Sequence, residues 1–253
     1  MNRVVNVYFS PGGTTEKIGR EISKRVSNSY DDVDLLREVV EENITFTKDD
    51  LLIVSMPVFA GRIPQLCISQ LKKLKGNDTP FIANVVYGNR AFEDALLELT
   101  DILNENGFVL ISGSAIIARH SIFPKVASDR PNSTDIELID ELVEKSLEKM
   151  KTNLFNNVSI PGNRPYRESG KLPIGPKGNS NCTDCGICVE LCPVGAIPED
   201  DPKETDVDKC INCTACVYNC PEEARVYSGI KYKVASEAFA KKNAKPLDSE
   251  IFV

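Results

Sequence analysis

Eight of the nine cysteines in this 253-residue sequence fall between Cys182 and Cys220. They make two runs of one pattern, with two, two and three residues between successive cysteines and a proline after the fourth. The runs are Cys182, Cys185, Cys188, Cys192–Pro193 and Cys210, Cys213, Cys216, Cys220–Pro221. Thiolates are soft ligands, and three of them on one tight loop reach three corners of an iron–sulfur cube, while the fourth faces the other cube. The spacing therefore predicts two [4Fe–4S] clusters. Cys182, Cys185, Cys188 and Cys220 hold one; Cys210, Cys213, Cys216 and Cys192 hold the other. Zinc is the competing metal, but its sites more often use two Cys-x2-Cys pairs separated by a long gap. Such crowding also suits a metal in a reducing compartment better than disulfides spread through a fold, which points to the cytoplasm. The ninth, Cys67, shares an apolar face with Leu66, Leu71 and Leu74 and reads as a buried structural thiol.

A second set of residues suits a flat, phosphorylated ligand. Ser10-Pro11-Gly12-Gly13-Thr14-Thr15 opens a helix after an apolar strand. A helix N-terminus offers free N–H groups and a favourable dipole to a phosphate, glycine lets the backbone approach, and hydroxyls add bonds without adding charge. Two further loops follow strands: Pro57-Val58-Phe59-Ala60-Gly61-Arg62 and Tyr87-Gly88-Asn89-Arg90. An aromatic residue and a glycine in each suit a ring stacked by side chains and edged by amides. No P-loop lysine and no nicotinamide fingerprint is present. Arg62 and Arg90 have two readings, a cation beside the ring or a partner for acids at a domain interface. His120, the single histidine, could relay protons or play a plain hydrogen-bonded part.

These residues need a scaffold that brings three loops to one edge. Strand-like runs at Val4–Phe9, Asp32–Leu36, Leu51–Ser55, Pro80–Tyr87 and Val109–Ile117 alternate with helical patterns at 14–29, 64–74, 91–106 and 134 to about 154, the last capped by Ser133 or Thr134. That alternation predicts an α/β doubly wound, five-stranded parallel sheet of flavodoxin-like order 2-1-3-4-5, with ligands at the carboxyl edge of the strands. The expected divisions are 1–156 for this domain, 157–178 for a Pro- and Gly-rich surface linker, 179–230 for the cysteine-rich domain, and 231–253 for a tail with a short helix near 235–242.

The cysteine segment resembles bacterial two-cluster ferredoxins, a small α+β domain. Joined to the Ser10–Thr15, Pro57–Pro64 and Tyr87–Arg90 motifs, the chain as a whole resembles the clostridial-type flavodoxin–ferredoxin fusion proteins. The resemblance implies FMN as cofactor, with its phosphate on Ser10, Gly12, Gly13, Thr14 and Thr15. Its ring would lie against Pro57, Val58, Phe59, Ala60, Gly61, Tyr87, Gly88 and Asn89. Gly12 departs from the threonine common in flavodoxins, which removes one hydroxyl contact.

Charge narrows the partners. Residues 179–230 hold ten acids against Lys203, Lys209 and Arg225, and the remainder has 27 of each sign, so the whole net charge of −7 sits on the cysteine-rich part. Nucleic acid and anionic membrane are excluded as partners; a basic redox protein fits. The reading is electron transfer between one- and two-electron carriers in an anaerobic-type metabolism. The rivals are an FMN-dependent oxidoreductase of a small substrate and a redox sensor. The linker is long enough for the two domains to meet within one chain or across a homodimer.

Overall fold

The computed structural model describes residues 1–152, 155 and 158–253. Five strands of its main sheet run parallel: β1 (Val4–Tyr8), β2 (Asp31–Asp34), β4 (Leu51–Pro57), β6 (Thr79–Tyr87) and β7 (Phe108–Ile117). Two-residue strands β3 (Ile44–Thr45) and β5 (Leu74–Lys75) pair separately. Across the main sheet the order is β2-β1-β4-β6-β7, which is 2-1-3-4-5 for the five parallel strands, as expected for a flavodoxin-like fold.

Successive side chains of a strand point to opposite faces, and β1, β4 and β6 are buried on both. Leu51 and Ile53 of β4 face one apolar layer, with Ile18 and Ile22 of α1 (Thr14–Val26) and Ile139, Leu142 and Val143 of α4 (Ser133–Thr152). Leu52, Val54 and Met56 face the other, with Leu71 of α2 (Ile68–Leu71) and Leu96, Leu99 and Leu103 of α3 (Ala95–Glu105). Each fully buried side chain of this kind contributes about 1.5–3 kcal/mol.

Several helix boundaries differ from expectation for identifiable reasons. The 64–74 segment is a short 3₁₀ turn (Gln65–Cys67) followed by α2, and the Leu71 carbonyl accepts a bond from Asn106 Nδ2 (3.2 Å), which stops the helix. The 91–106 helix begins only at Ala95, because Glu93 has a φ of 47°. The cap of α4 is Asn132, whose Oδ1 accepts from the N–H groups of Thr134 (3.1 Å) and Asp135 (3.3 Å), and not Ser133 or Thr134. The expected helix end at Leu154 and the boundary between 156 and 157 lie outside the described residues.

The Pro- and Gly-rich segment is a strap fastened to α3. Asp94 accepts from the N–H groups of Asn163 (2.9 Å) and Arg167 (2.7 Å), and Asp101 takes Arg164 Nε (2.7 Å) and Tyr166 Oη (2.5 Å). Beyond it come β8 (Lys177–Gly178), two one-turn helices α5 (Ile187–Glu190) and α6 (Ala215–Tyr218), and β9 (Arg225–Val226), which pairs with β8. The last 23 residues return to the sheet. After α7 (Gly229–Lys242), strand β10 (Glu250–Phe252) adds to β7 antiparallel, so the main sheet has a sixth strand absent from the five-strand expectation.

Candidate functional site

The duplication in sequence is also a duplication in backbone. Positive φ at Asp184 (54°), Gly186 (79°) and Gly195 (58°) recurs at Asn212 (57°), Thr214 (72°) and Glu223 (48°). In each half the N–H of the residue four past the fourth cysteine bonds its sulfur: Ala196 N to Cys192 Sγ at 3.2 Å, and Ala224 N to Cys220 Sγ at 3.3 Å. Cys182, Cys185, Cys188 and Cys220 stand around one small cavity; Cys192, Cys210, Cys213 and Cys216 stand around a second. Each cavity thus takes three cysteines from one run and the fourth from the other. Among the described residues no three Cys, His, Asp or Glu side chains converge closely enough to hold a single metal ion. The thiols surround a volume, which fits a cubane and not one tetrahedral zinc. Each set has one buried member, Cys188 and Cys210, and the first set also reaches the surface at Cys185. Burial pushes the thiols of Cys213 and Cys216 up, to about 12 and about 11, so a metal binding there must displace protons.

A larger cavity of about 570 Å³ opens at the carboxyl edge of the sheet, within the usual range of a cofactor site. Ten of the thirteen expected ring and phosphate residues line it: Gly12, Thr14, Thr15, Pro57, Val58, Phe59, Ala60, Gly61, Tyr87 and Gly88. At the start of α1 the N–H of Gly13 bonds the Ser10 carbonyl (3.3 Å) and that of Glu16 bonds Ser10 Oγ (2.9 Å). For the N–H groups of Thr14 and Thr15 no intrachain acceptor is found among the described residues. Those two donors, the two threonine hydroxyls and the dipole of α1 make a cradle that fits a phosphate.

Ser10, Gly13 and Asn89 do not line the cavity. The Ser10 Oγ accepts the Glu16 N–H at the start of α1, which leaves its O–H free to donate. The Asn89 amide points the other way and clamps the tail: Nδ2 donates to the carbonyls of Asn243 and Lys245 (both 3.0 Å), and Oδ1 accepts from Leu247 N (2.8 Å). Tyr87 is 5% exposed and sits edge-on to Phe92 in the core, so only part of it meets the cavity.

The remaining wall comes from residues outside the three expected loops. The loop after β7 supplies Arg119, His120 and Phe123; the strap supplies Leu172; the cysteine-rich domain supplies Asn212, Cys213, Thr214 and Tyr218; and α7 supplies Phe239. The loop after β7 carried a signal, since it leaves the same sheet edge as the other three. The others depend on tertiary docking. That docking is specific: Asn219 Nδ2 donates to the Pro11 carbonyl (3.1 Å), Arg37 to Asn219 Oδ1 (3.1 Å), Tyr218 Oη to the Ser121 carbonyl (3.0 Å) and Tyr232 Oη to the Ile122 carbonyl (2.9 Å). Stacked rings back the polar contacts, with Tyr232 lying between Tyr227 (5.6 Å) and Phe123 (5.9 Å).

The ambiguous residues now separate. Arg62 is paired with Glu98, Nε to Oε2 at 2.7 Å and Nη2 to Oε1 at 2.5 Å, with its third arm on the Arg167 carbonyl (2.6 Å) of the strap. It is an interface clamp. Arg90 lines the cavity and shares its charge with Glu93 (3.1 and 2.5 Å). His120 lies against Gly88, where a Cβ would come within 2.6 Å of its ring, and edge-on to Phe239 at 4.7 Å. Its Nδ1 accepts from the N–H groups of Ile122 and Phe123 (both 3.2 Å), which leaves the proton on Nε2. Burial, with the Arg90 charge adding to it, pulls the imidazole down to about 4. At neutral pH the ring is therefore neutral, held by its two Nδ1 bonds. Cys67 is fully buried, and burial pushes its thiol up.

Residues 181–225 match the 4Fe-4S dicluster domain family. The chain is 41% identical over 98 residues to a tetrathionate reductase subunit of Archaeoglobus fulgidus, covering 34% of this chain and 44% of that one. It is 40% identical over 48 residues to the PorD subunit of pyruvate synthase from Methanocaldococcus jannaschii, covering 18% and 56%. The chain thus spans about half the length of each of these relatives. The Fusobacterium nucleatum flavodoxin bound to flavin mononucleotide superposes with a TM-score of 0.43 at 14% identity, covering 60% of this chain and 99% of that one. No described helix is long and apolar enough to cross a membrane. The strand order of the N-terminal part is flavodoxin-like, and residues 181–225 belong with the 4Fe-4S dicluster domains.

Proposed function

We propose that the chain is an electron-transfer iron–sulfur flavoprotein with two [4Fe–4S] clusters and FMN arranged in series. One observation carries this reading: Cys213 and Tyr218 line the same cavity as Gly12, Thr14 and Thr15. FMN exchanges one or two electrons and each cluster one, so the three together couple one- and two-electron carriers. The cysteines of the second site (Cys210, Cys213, Cys216 and Cys192) hold the cluster nearer the flavin. Those of the first (Cys182, Cys185, Cys188 and Cys220) hold the one facing outside partners.

The chain's own residues bind and orient. Thr14 and Thr15 receive the phosphate by backbone N–H and hydroxyl. The loops Pro57–Gly61 and Tyr87–Gly88 edge the ring, His120 Nε2–H is a donor directed by its Nδ1 bonds, and Thr214 and Tyr218 close the side nearest the second cluster. One phosphate cradle suits FMN and leaves no counterpart for an adenylate half. The outside partner is a redox protein, and the acid excess of residues 179–230 favours a basic one.

Rapid reduction tests the arrangement. With the clusters reduced first in the anaerobic holoprotein, flavin bleaching at a rate independent of protein concentration supports transfer inside one assembly. A rate rising linearly with concentration sinks it. Metal and sulfide analysis of the same sample should give about eight iron and eight sulfide per chain.

A further inference from the structure

Arg225 is 1% exposed, the largest fully buried side chain among the described residues. It occupies the place in the second repeat that Ile197 holds in the first, so the duplication has exchanged an apolar residue for a cation. Its two terminal nitrogens are fully engaged: Nη1 donates to the carbonyls of Pro202 (2.6 Å) and Glu204 (3.1 Å), Nη2 to the Pro176 carbonyl (3.0 Å) and to Thr205 Oγ1. Its Nε–H has no partner and is shielded from solvent. Among the described residues no carboxylate pairs with it.

A buried charge with only neutral acceptors is costly unless an anion lies close by. The guanidinium lines the first cysteine cavity, beside Cys188 and Cys220. The cation therefore stands beside a site that becomes anionic when filled, while Ile197 lines the other cavity in its place.

We propose that Arg225 is a redox-tuning residue, its buried guanidinium and unpartnered Nε–H stabilising the electron added to the cluster of Cys182, Cys185, Cys188 and Cys220 beside it. This rests on the reading of the cysteines as two clusters. Each cluster takes one electron from the donor, with no bond made and no proton moved, and the fixed positive charge offsets the added negative charge. Charge and hydrogen bonding around the sulfurs set the potential of such clusters.

Arg225→Gln removes the charge and keeps a donor for the nearby carbonyls; Arg225→Lys keeps the charge and removes the Nε–H. Each anaerobic holoprotein, with its iron and sulfide counted, is titrated with a low-potential one-electron reductant while the cluster EPR signals are followed. In Arg225→Gln the reduction equilibrium of the cluster of Cys182, Cys185, Cys188 and Cys220 should fall about tenfold, about 59 mV for a one-electron couple. Arg225→Lys should lower it by a smaller but measurable factor. At full iron, unchanged midpoints in either variant overturn the proposal, as does a lysine effect equal to that of glutamine. If Arg225→Gln fails to retain its clusters, Arg225→Lys decides by the same criterion. Wild-type protein lacking iron and sulfide would instead overturn the cluster reading, so the two failures are distinct.

Discussion

Tyr218 of the cysteine-rich domain stands over Gly12 of the phosphate loop: a Cβ at Gly12 would lie 3.4 Å from Tyr218 Cδ2 and 3.8 Å from Thr214 Oγ1. The missing hydroxyl at position 12 is thus the space into which the second domain docks. A methyl there is in ordinary contact, but the γ atoms of threonine are not accommodated. Gly12→Thr should keep the flavin and all iron yet slow cluster-to-flavin transfer about tenfold or more, because the docked geometry that gives the two sites their effective concentration is lost. Stopped-flow flavin bleaching reads this, and an unchanged rate would show that Tyr218 does not depend on Gly12.

Thr15→Asp places a carboxylate in the cradle at the start of α1. Two like charges about 4 Å apart near a protein surface repel by about 4 kcal/mol. Flavin affinity should therefore fall about a thousandfold with the fold retained. Fluorescence titration of apoprotein with FMN measures the loss; full occupancy of the variant at micromolar flavin would put the phosphate elsewhere.

The swapped cysteines give an asymmetric expectation. Cys192→Ala should empty the site shared with Cys210, Cys213 and Cys216 and abolish flavin reduction by an outside donor, leaving about four iron. Cys67→Ala, in the core beneath β4, should leave iron content intact and cost stability only through the small cavity it opens. Iron counts and thermal melts of the two variants separate the roles.

His120 makes stability depend on pH. Its imidazole is held at about 4 when folded and returns to about 6.5 when unfolded. The unfolded chain therefore binds the extra proton first, so the His120 contribution is complete above pH 6.5 and lost as pH falls toward 4, amounting to about 3 kcal/mol. Denaturant unfolding of apoprotein at several pH values should show this slope, and His120→Gln should flatten it. An equal slope in both proteins would contradict a buried neutral ring.

How much could be read without coordinates follows from the range of the interactions. The strand order, the loops at one sheet edge and the partition of the cysteines rest on local periodicity and on a repeat, and each is visible along the chain. Ser10 and Asn89 stand outside the cavity lining, and neighbours in space engage them: the Glu16 N–H meets one, and carbonyls more than 150 residues away meet the other. Arg62 reads equally well as a ring partner or an acid partner until Glu98 is placed beside it. Arg225 is visible only as a charge in an apolar repeat position, and its isolation from carboxylates emerges in three dimensions alone. The tail has no strong period, because its last strand is only three residues long and its stability comes from pairing with β7.

The return of the tail to β7 has a topological meaning. The segment from the strap to α7 is not a pendant on the end of the flavodoxin-like unit but an excursion that leaves from one flank and comes back to another. It is pinned at the Asp94 and Asp101 contacts on one side and at Asn89, Arg130 and β10 on the other. A pendant can swing through a wide volume; a segment fixed at two points has most of that freedom removed before docking begins. A single backbone cut in the strap would leave the excursion moored by its second attachment, and only a cut on each side would release it as a separate fragment.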